Sequence, residues 1–167
     1  MSEPESGYAE SAGGSVGYQV VGTGPPDVVA VKPPFLPVDL VWDEPRLVRF
    51  LNGLSSFSRH IWFDARGTGS SGSIEPVEGR LNESVVDDMV AMVDERACER
   101  VVVLGASAGT PALQFAATHP ERTSALALMN PSARFRRADD YPETASFRLP
   151  RVCLAVKRNA LRPRLRI

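Results

Sequence analysis

The sequence predicts an α/β fold in which helices flank a mostly parallel sheet. Short apolar runs rich in β-branched residues alternate along the chain with segments whose apolar residues recur at helical spacing. Several of these runs are apolar throughout, which is typical of strands buried on both faces. The 167 residues suffice for one domain with a single core.

The first elements are two strands and a helix. Residues 17–22 alternate between apolar and polar side chains, which predicts a strand. Turn-forming residues at 23–27 lead into a short buried strand at 28–31. A helix then begins after Asp43, its predicted N-cap, with Pro45 in its first turn. Its inward face consists of residues at helical spacing: Leu47, Phe50, Leu51 and Leu54.

A strand, a loop and a second helix follow. The largely apolar residues 60–63 are the predicted strand, and the loop that follows at 64–72 is rich in glycine. Asn82 is the predicted N-cap of the helix. Four apolar residues form its inward stripe: Val85, Met89, Val93 and Ala97. Three acidic residues are predicted to lie outside that stripe: Asp87, Asp88 and Asp94.

The last predicted unit is a strand, a helix and a strand. Residues 101–104 are wholly apolar, Pro111 lies in the first turn of the next helix, and Pro120 ends it. Residues 125–129 are the last clear strand. Residues 151–157 also fit a strand pattern, but no helical segment accompanies them.

Charge divides the chain into two parts. Residues 1–133 carry 9 Lys and Arg against 17 Asp and Glu, whereas residues 134–167 carry 10 against 3. We predict a folded core over 1–133 and a basic, irregular or disordered tail over 134–167. Contact of the tail with nucleic acid or anionic lipid is the alternative. Since Arg-rich ends broken by Pro are more often disordered, we expect no nucleic-acid partner.

Composition also indicates where the protein resides. No apolar stretch approaches the roughly 18 residues of a membrane span. Residues 1–6 are acidic and lack the apolar core of a signal peptide. Cys98 and Cys153 have no metal-ligand spacing and suit a reducing compartment. We therefore expect a cytoplasmic protein with no membrane partner.

Ser107 is the strongest candidate for a catalytic residue. It lies between Gly105 and Gly109 in a Gly-x-Ser-x-Gly pentapeptide, directly after the apolar strand and directly before a helical segment. This context is typical of a nucleophile elbow, in which a sharp turn exposes the serine hydroxyl above the ends of parallel strands. The simpler interpretation is that the corner needs a small residue and that Ser fills it.

Several separated motifs together resemble one known family. They are Tyr18 to Pro25, Asp39 to Trp42 with Pro45, Asp64 to Ser71, the pentapeptide around Ser107, and Phe115 to Arg122. The chain resembles actinobacterial-type α/β-hydrolases, close to the hydrolase-like domains that accompany adenylate cyclase domains. The resemblance covers about residues 7–133. The family sheet has eight strands, so we expect a partial fold that ends near the sixth strand, without the C-terminal part.

The resemblance implies a serine-hydrolase mechanism on a small acyl or ester substrate. Ser107 matches the nucleophile, and the backbone N–H of Ala108 matches the first oxyanion donor. The second donor comes from the loop after the third strand, where Pro33 takes the family's Gly position and Pro34 the donor position. Proline has no N–H, so Phe35 substitutes only if the loop shifts by one residue. No metal or organic cofactor is implied.

The catalytic base is missing from the pattern. In the family the acid and the histidine follow the serine, and only His119 follows Ser107. His119 lies about 18 Å along the helix from Ser107, whereas a base must come within about 3 Å. His60 begins its strand, about 13 Å from the active edge. We expect both histidines at the surface or at a helix end.

Two other patterns have simpler interpretations. Asp139 or Asp140 follows the last clear strand where some relatives carry the acid, but we interpret both as solvated loop residues. Residues 67–72 spell a dinucleotide-binding fingerprint, yet no helix opens directly after them. We interpret them as a structural loop.

The sequence is compatible with two functional hypotheses. The first is a serine hydrolase whose base comes from another chain or from residues that the pattern does not reveal. The second is a truncated, inactive hydrolase that acts at most as a binding or interaction module. If the sheet ends at residues 125–129, that strand is an open apolar edge. We therefore expect self-association through this edge.

Overall fold

A computed structural model describes residues 3–73, 81–107, 109–129 and 154–157. Seven strands form one sheet in the order β1-β2-β4-β3-β5-β6-β7. The predicted α/β class with flanking helices is confirmed, and the sheet is mixed, with three parallel pairings at its centre and three antiparallel pairings outside them. The strands are β1 Glu5–Ser11, β2 Gly14–Val21, β3 Asp27–Val31, β4 Arg59–Phe63, β5 Val101–Ala106, β6 Thr123–Met129 and β7 Leu154–Lys157.

The central strands are parallel and share one direction. β3 pairs in parallel with β4 on one side and with β5 on the other, and β5 pairs in parallel with β6. The outer strands β1, β2 and β7 join the sheet in antiparallel ladders. The carboxyl ends of β4, β3, β5 and β6 therefore lie along a single edge, which is where α/β sheets bind their ligands.

Helices cover both faces of the sheet. Helix α1 (Pro45–Ser55) follows a 3-10 helix at Asp39–Asp43 and packs on one face. Helices α2 (Leu81–Glu95) and α3 (Gly109–Thr118) pack on the other face, against the larger apolar cluster. In the part of the chain that the structure describes, no helix combines the length and apolar character needed to cross a bilayer.

Several local predictions about the helices are wrong, among them the Asn82 cap of α2, which begins at Leu81, and the inward position of Ala97, which is exposed. Glu44, not Asp43, caps α1, because its carboxylate accepts hydrogen bonds from the N–H groups of Arg46 and Leu47. Asp88, predicted outside the apolar stripe of α2, is fully buried. It is buried because it pairs with a charged side chain, and periodicity cannot reveal such a partner.

The sheet extends further than the sequence predicted on both sides. β1 was not predicted, since its sequence is polar and only Ala9 is buried. The open edge predicted at residues 125–129 is also wrong. β7 pairs antiparallel with β6, joining Leu128 to Leu154 and Ala125 to Lys157. Self-association of the protein remains a prediction, but the edge at residues 125–129 no longer supports it. Apart from β7, the tail at 134–167 lies outside the described residues.

Gly69 shows how tightly the loop after β4 is packed. Its φ is +51°, and a Cβ at this position would collide with the carboxylate of Asp64. We predict that Gly69→Ala lowers the free energy of unfolding by at least about 1–2 kcal/mol, measured by urea unfolding.

Gly53 supplies the matched control for that prediction. It lies exposed within α1, and a Cβ there would meet nothing within 4 Å. Gly53→Ala should raise the free energy of unfolding by about 0.5–1 kcal/mol because alanine favours the helix. Equal effects of the two substitutions would contradict the packing of the loop on Asp64.

Candidate functional site

Three polar residues follow three neighbouring parallel strands at the carboxyl edge. Lys32 follows β3, Asp64 follows β4 and Ser107 follows β5. The registers pair Val31 with Gly105 and place β3 between the other two strands. The three residues therefore lie at the same edge of the sheet, although they are far apart in the sequence.

Ser107 occupies the apex of a tight corner between β5 and α3. Its side chain is exposed and its φ is +61°, in the left-handed region. Its N–H donates to Met129 O at 2.9 Å, which extends the pairing of β5 with β6. A Cβ on Gly105 would lie 2.8 Å from Leu128 and 2.9 Å from Ala112. The corner thus closes as predicted, with a small residue where α3 approaches β5.

Asp64 is a fully buried carboxylate with a complete set of hydrogen-bond donors. Its Oδ1 accepts from Lys32 Nζ at 2.6 Å and from the Val38 N–H at 3.1 Å. Its Oδ2 accepts from the Ser70 N–H at 2.9 Å and from the Ser70 hydroxyl at 3.1 Å. Four donors on two oxygens compensate for the removal of this charge from water.

Among the described residues, Lys32 is the charged partner of Asp64, and its amine points to that carboxylate. Its side chain is only 2% exposed, and burial lowers the pKa of its amine while Asp64 opposes that shift. Alternation along β3 places Lys32 on the face that α1 covers, as it does Ala30. The amine turns towards β4, on the side of β3 opposite to β5. It therefore does not act as a base for Ser107.

The loop after β3 carries the candidate second oxyanion donor. Phe35 lies in this loop with its side chain 82% exposed. The loop closes locally, since the Leu36 N–H donates to Pro33 O at 3.2 Å. The Phe35 N–H donates no hydrogen bond to any residue that the structure describes. Ala108, the candidate first donor, lies outside the described residues, as do Asp139 and Asp140.

His60 lies in the core and not at the surface, so the sequence prediction is wrong for this residue. Its ring is fully buried, and Nδ1 accepts from Trp62 Nε1 at 2.7 Å. Burial lowers its pKa to about 4, against a smaller opposing effect of the Leu51 backbone. His60 of β4 pairs with Val28 of β3, which in turn pairs with Val102 of β5. His60 is therefore level with a residue that lies five positions before Ser107. That separation is roughly 16 Å along the strands.

His119 lies at the end of α3, as predicted. Its ring stacks on Phe115 with centroids 5.0 Å apart, and Nδ1 lies 2.9 Å from the Thr118 hydroxyl. Its backbone N–H donates to Phe115 O. Ser107 precedes the start of the same helix, about 15 Å away along the axis. Neither histidine of the sequence therefore reaches the serine.

The glycine-rich loop at 67–72 is a structural loop. The Gly67 N–H donates to Gly72 O, the Thr68 N–H to Ala65 O, and the Gly72 N–H to Ser15 O. A phosphate cradle needs free backbone N–H groups, and here these donors are already used. Among the described residues, no three His, Cys, Asp or Glu side chains converge where they could hold a metal ion.

A second buried ion pair was not predicted from the sequence. Arg66 Nε donates to Asp88 Oδ1 at 2.5 Å, and the Arg66 N–H donates to Asp88 Oδ2 at 3.0 Å. The Ser11 hydroxyl also donates to Asp88. The pair ties α2 to the loop after β4 and to β1. The only sequence signal for either buried pair was a charged residue close to the end of an apolar strand.

The comparisons with known proteins concern the fold. The sequence matches no family model and no curated protein. A mutant epoxide hydrolase from Vigna radiata is similar in structure, with a TM-score of 0.64 and 22% identity over 77% of this chain and 39% of that one. The naproxen esterase (carboxylesterase NP) of Bacillus subtilis has a TM-score of 0.60 and 18% identity over 74% of this chain and 42% of that one.

A third solved structure is also similar to this chain in fold. The predicted CIB-like hydrolase of Thermoplasma acidophilum has a TM-score of 0.62 and 14% identity, over 77% of this chain and 63% of that one. The chain thus has the α/β-hydrolase fold in part, and it spans about two fifths of the length of the first two neighbours.

The buried His60 predicts how stability depends on pH. The unfolded chain protonates this histidine near pH 6.5, whereas the folded protein does so only near pH 4. The unfolded state therefore binds more protons in this window, and the free energy of unfolding falls as the pH drops from 6.5 to 4. The full contribution is on the order of 3 kcal/mol.

His60→Asn is the matched variant, because its side-chain oxygen still accepts from Trp62 but does not titrate. We expect its free energy of unfolding, from urea titrations at pH 7 and pH 4, to fall less than that of the wild type. Parallel pH profiles for the two proteins would show that His60 is not buried in its neutral form.

Proposed function

We propose that Ser107 is the nucleophile of a serine hydrolase acting on an ester or acyl bond, and that its general base comes from outside these 167 residues. The observation that carries this proposal is the conformation of Ser107, which is exposed at φ +61° on the carboxyl edge of the parallel strands. Ligands of α/β sheets bind at this edge.

The backbone strain at Ser107 supports a functional role over a merely structural one. A residue other than Gly in the left-handed region costs roughly 1–3 kcal/mol. A glycine would close the corner without that cost, and glycines already stand at positions 105 and 109. The serine thus keeps a hydroxyl exposed at the expense of stability, which is typical of a nucleophile elbow.

The proposed reaction proceeds through an acyl-enzyme. Ser107 Oγ attacks the substrate carbonyl, and its proton passes to the external base. The tetrahedral intermediate then collapses, the bond to the leaving group breaks, and the base returns the proton to that group. Water attacks the acyl-serine in the same way, which releases the acid and restores the hydroxyl.

Two backbone N–H groups are proposed to stabilise the negative oxygen of the intermediate. One belongs to Ala108, the residue after the nucleophile. The other belongs to Phe35, because Pro33 and Pro34 have no N–H and the Phe35 N–H is not engaged by any described residue. This assignment requires the loop to be shifted by one residue relative to the family pattern.

The positions of both histidines and the share of the neighbours that this chain covers support an external base. Neither histidine of the sequence reaches Ser107, and Lys32 is turned towards Asp64. The chain spans 39% of the epoxide hydrolase and 42% of the esterase that it resembles in structure. A second polypeptide or an adjoining segment is the proposed source of the imidazole. The hydrolase class is supported by the names of these neighbours.

The cellular location proposed for this activity is the one predicted from the sequence. We propose a cytoplasmic location because its two cysteines suit a reducing compartment. The described cysteine, Cys98, is a buried free thiol. The resemblance to hydrolase-like domains that accompany adenylate cyclases remains a prediction from the sequence motifs.

A second candidate function is a binding module without catalysis. It is favoured by the prolines at positions 33 and 34 and by the distance of both imidazoles from Ser107. Such a module keeps the carboxyl edge as a recognition surface, and its serine has no enhanced reactivity. Chemical reactivity of the hydroxyl separates the two functions.

Labelling with a fluorophosphonate probe tests the proposal directly. Imidazole added to the buffer supplies the missing base, and general base catalysis typically contributes about 10²–10⁴-fold. We expect imidazole to accelerate labelling of the wild type at least about tenfold and to leave Ser107→Ala unlabelled. Ser56→Ala, at an exposed serine after α1, is the control and should be labelled like the wild type. Equal, imidazole-independent labelling of wild type and Ser107→Ala would favour the binding module.

The proposed role of the Phe35 N–H has its own test. Phe35→Pro removes the N–H, whereas Phe35→Ala removes only the exposed ring. Loss of one oxyanion donor lowers the rate about 10²–10³-fold. We expect this decrease in the imidazole-dependent labelling rate for Phe35→Pro and a change of less than about threefold for Phe35→Ala. Similar rates for both variants would rule out this N–H as the donor.

A further inference from the structure

We propose that the buried Lys32–Asp64 ion pair positions the loop at 33–37 and so sets the place of the Phe35 N–H opposite Ser107. The inference rests on the proposed function, because it assigns the loop a part in the reaction. Lys32 and Asp64 act through the loop and do not touch the substrate, so both are positioning residues.

Both ends of the loop are held by one oxygen atom. Lys32, at the start, donates its amine to Asp64 Oδ1 at 2.6 Å. Val38, at the far end, donates its backbone N–H to the same oxygen at 3.1 Å. Only five residues separate these anchors, and three of them are proline. Phe35 lies at the centre of this short span, so the anchors determine where its N–H lies.

The carboxylate itself is held from the opposite side. Its other oxygen, Oδ2, accepts the N–H and the hydroxyl of Ser70. Gly69 packs against the same carboxylate so closely that no Cβ fits between them. Asp64 therefore connects the loop after β3 to the loop after β4. A displacement of Asp64 moves the anchors of the Phe35 loop.

The chemistry of the pair explains why both charges are needed. Each group is almost completely removed from water, with 2% exposure for the lysine side chain and none for the aspartate. Removing one charge leaves the other buried without its counterion, which is strongly unfavourable and forces local rearrangement. The rearrangement is expected in the loop, because Lys32 and Val38 are its two ends.

The same two strands carry a second, partly exposed ion pair at their opposite ends. Asp27 begins β3 and Arg59 begins β4, and the guanidinium donates to both carboxylate oxygens at 2.7 and 2.8 Å. This pair lies at the amino edge, far from Ser107. Asp27→Asn therefore makes the same chemical change in the same strand pair without touching the loop.

The experiment compares Asp64→Asn with Asp27→Asn in the full chain, with two readouts. The first is amide hydrogen exchange at Leu36 and Val38, which reports the order of the loop. The second is the imidazole-dependent rate of fluorophosphonate labelling at Ser107. For Asp64→Asn we expect exchange at least about tenfold faster and labelling about a hundredfold slower, as a misplacement of about 1 Å produces. Asp27→Asn should match the wild type in both.

Lys32→Met is the second variant, used if Asp64→Asn does not fold. It keeps the aliphatic stem and leaves Asp64 three hydrogen-bond donors. The same two changes are expected, in the same direction. A folded variant at position 32 or 64 with wild-type exchange and labelling would overturn the proposal. So would an equal effect of Asp27→Asn.

The two proposals fail in distinguishable ways. If the wild type is not labelled even with imidazole, the proposed function fails, and amide exchange alone decides whether the ion pair orders the loop. If labelling depends on Ser107 but not on position 64, the proposed function stands and this inference fails.

Discussion

The parallel pairing of β3 with both β4 and β5 is the constraint on which the rest of the structure depends. It makes three strands end at one edge, so Lys32, Asp64 and Ser107 all lie at that edge. A parallel pair requires a crossover, and α1 supplies one between β3 and β4 on one face. The helices α2 and α3 cover the other face, so the strands are apolar on both sides.

The loop after β4 connects the two faces of the sheet. Asp64 turns towards the α1 side and pairs with Lys32, while Arg66, two residues later, pairs with Asp88 of α2. Both pairs are almost completely buried. Such pairs contribute little net stability, since desolvation offsets their attraction, but breaking one leaves an uncompensated charge. They therefore act mainly by fixing the geometry of the loop between them.

Local patterns in the sequence predicted the elements that local forces determine. The apolar strands at 28–31 and 101–104 and the corner at Ser107 were predicted, because apolar runs and flanking glycines reveal them. The burial of Asp88 and the partner of Asp64 were not. These residues find their partners 22 and 32 positions away, and periodicity contains no information on such pairings. His60 was misplaced for the same reason, since its burial depends on the strands on both sides of it and on α1.

Ser107 stands at the carboxyl edge, and neither His60 nor His119 reaches it. The most direct measurement is a crystal structure of the protein in which the atoms around the Ser107 hydroxyl are resolved. We expect the rings of His60 and His119 both to lie well beyond hydrogen-bond distance from this oxygen. A ring nitrogen of either histidine within about 3.2 Å of Ser107 Oγ would contradict it.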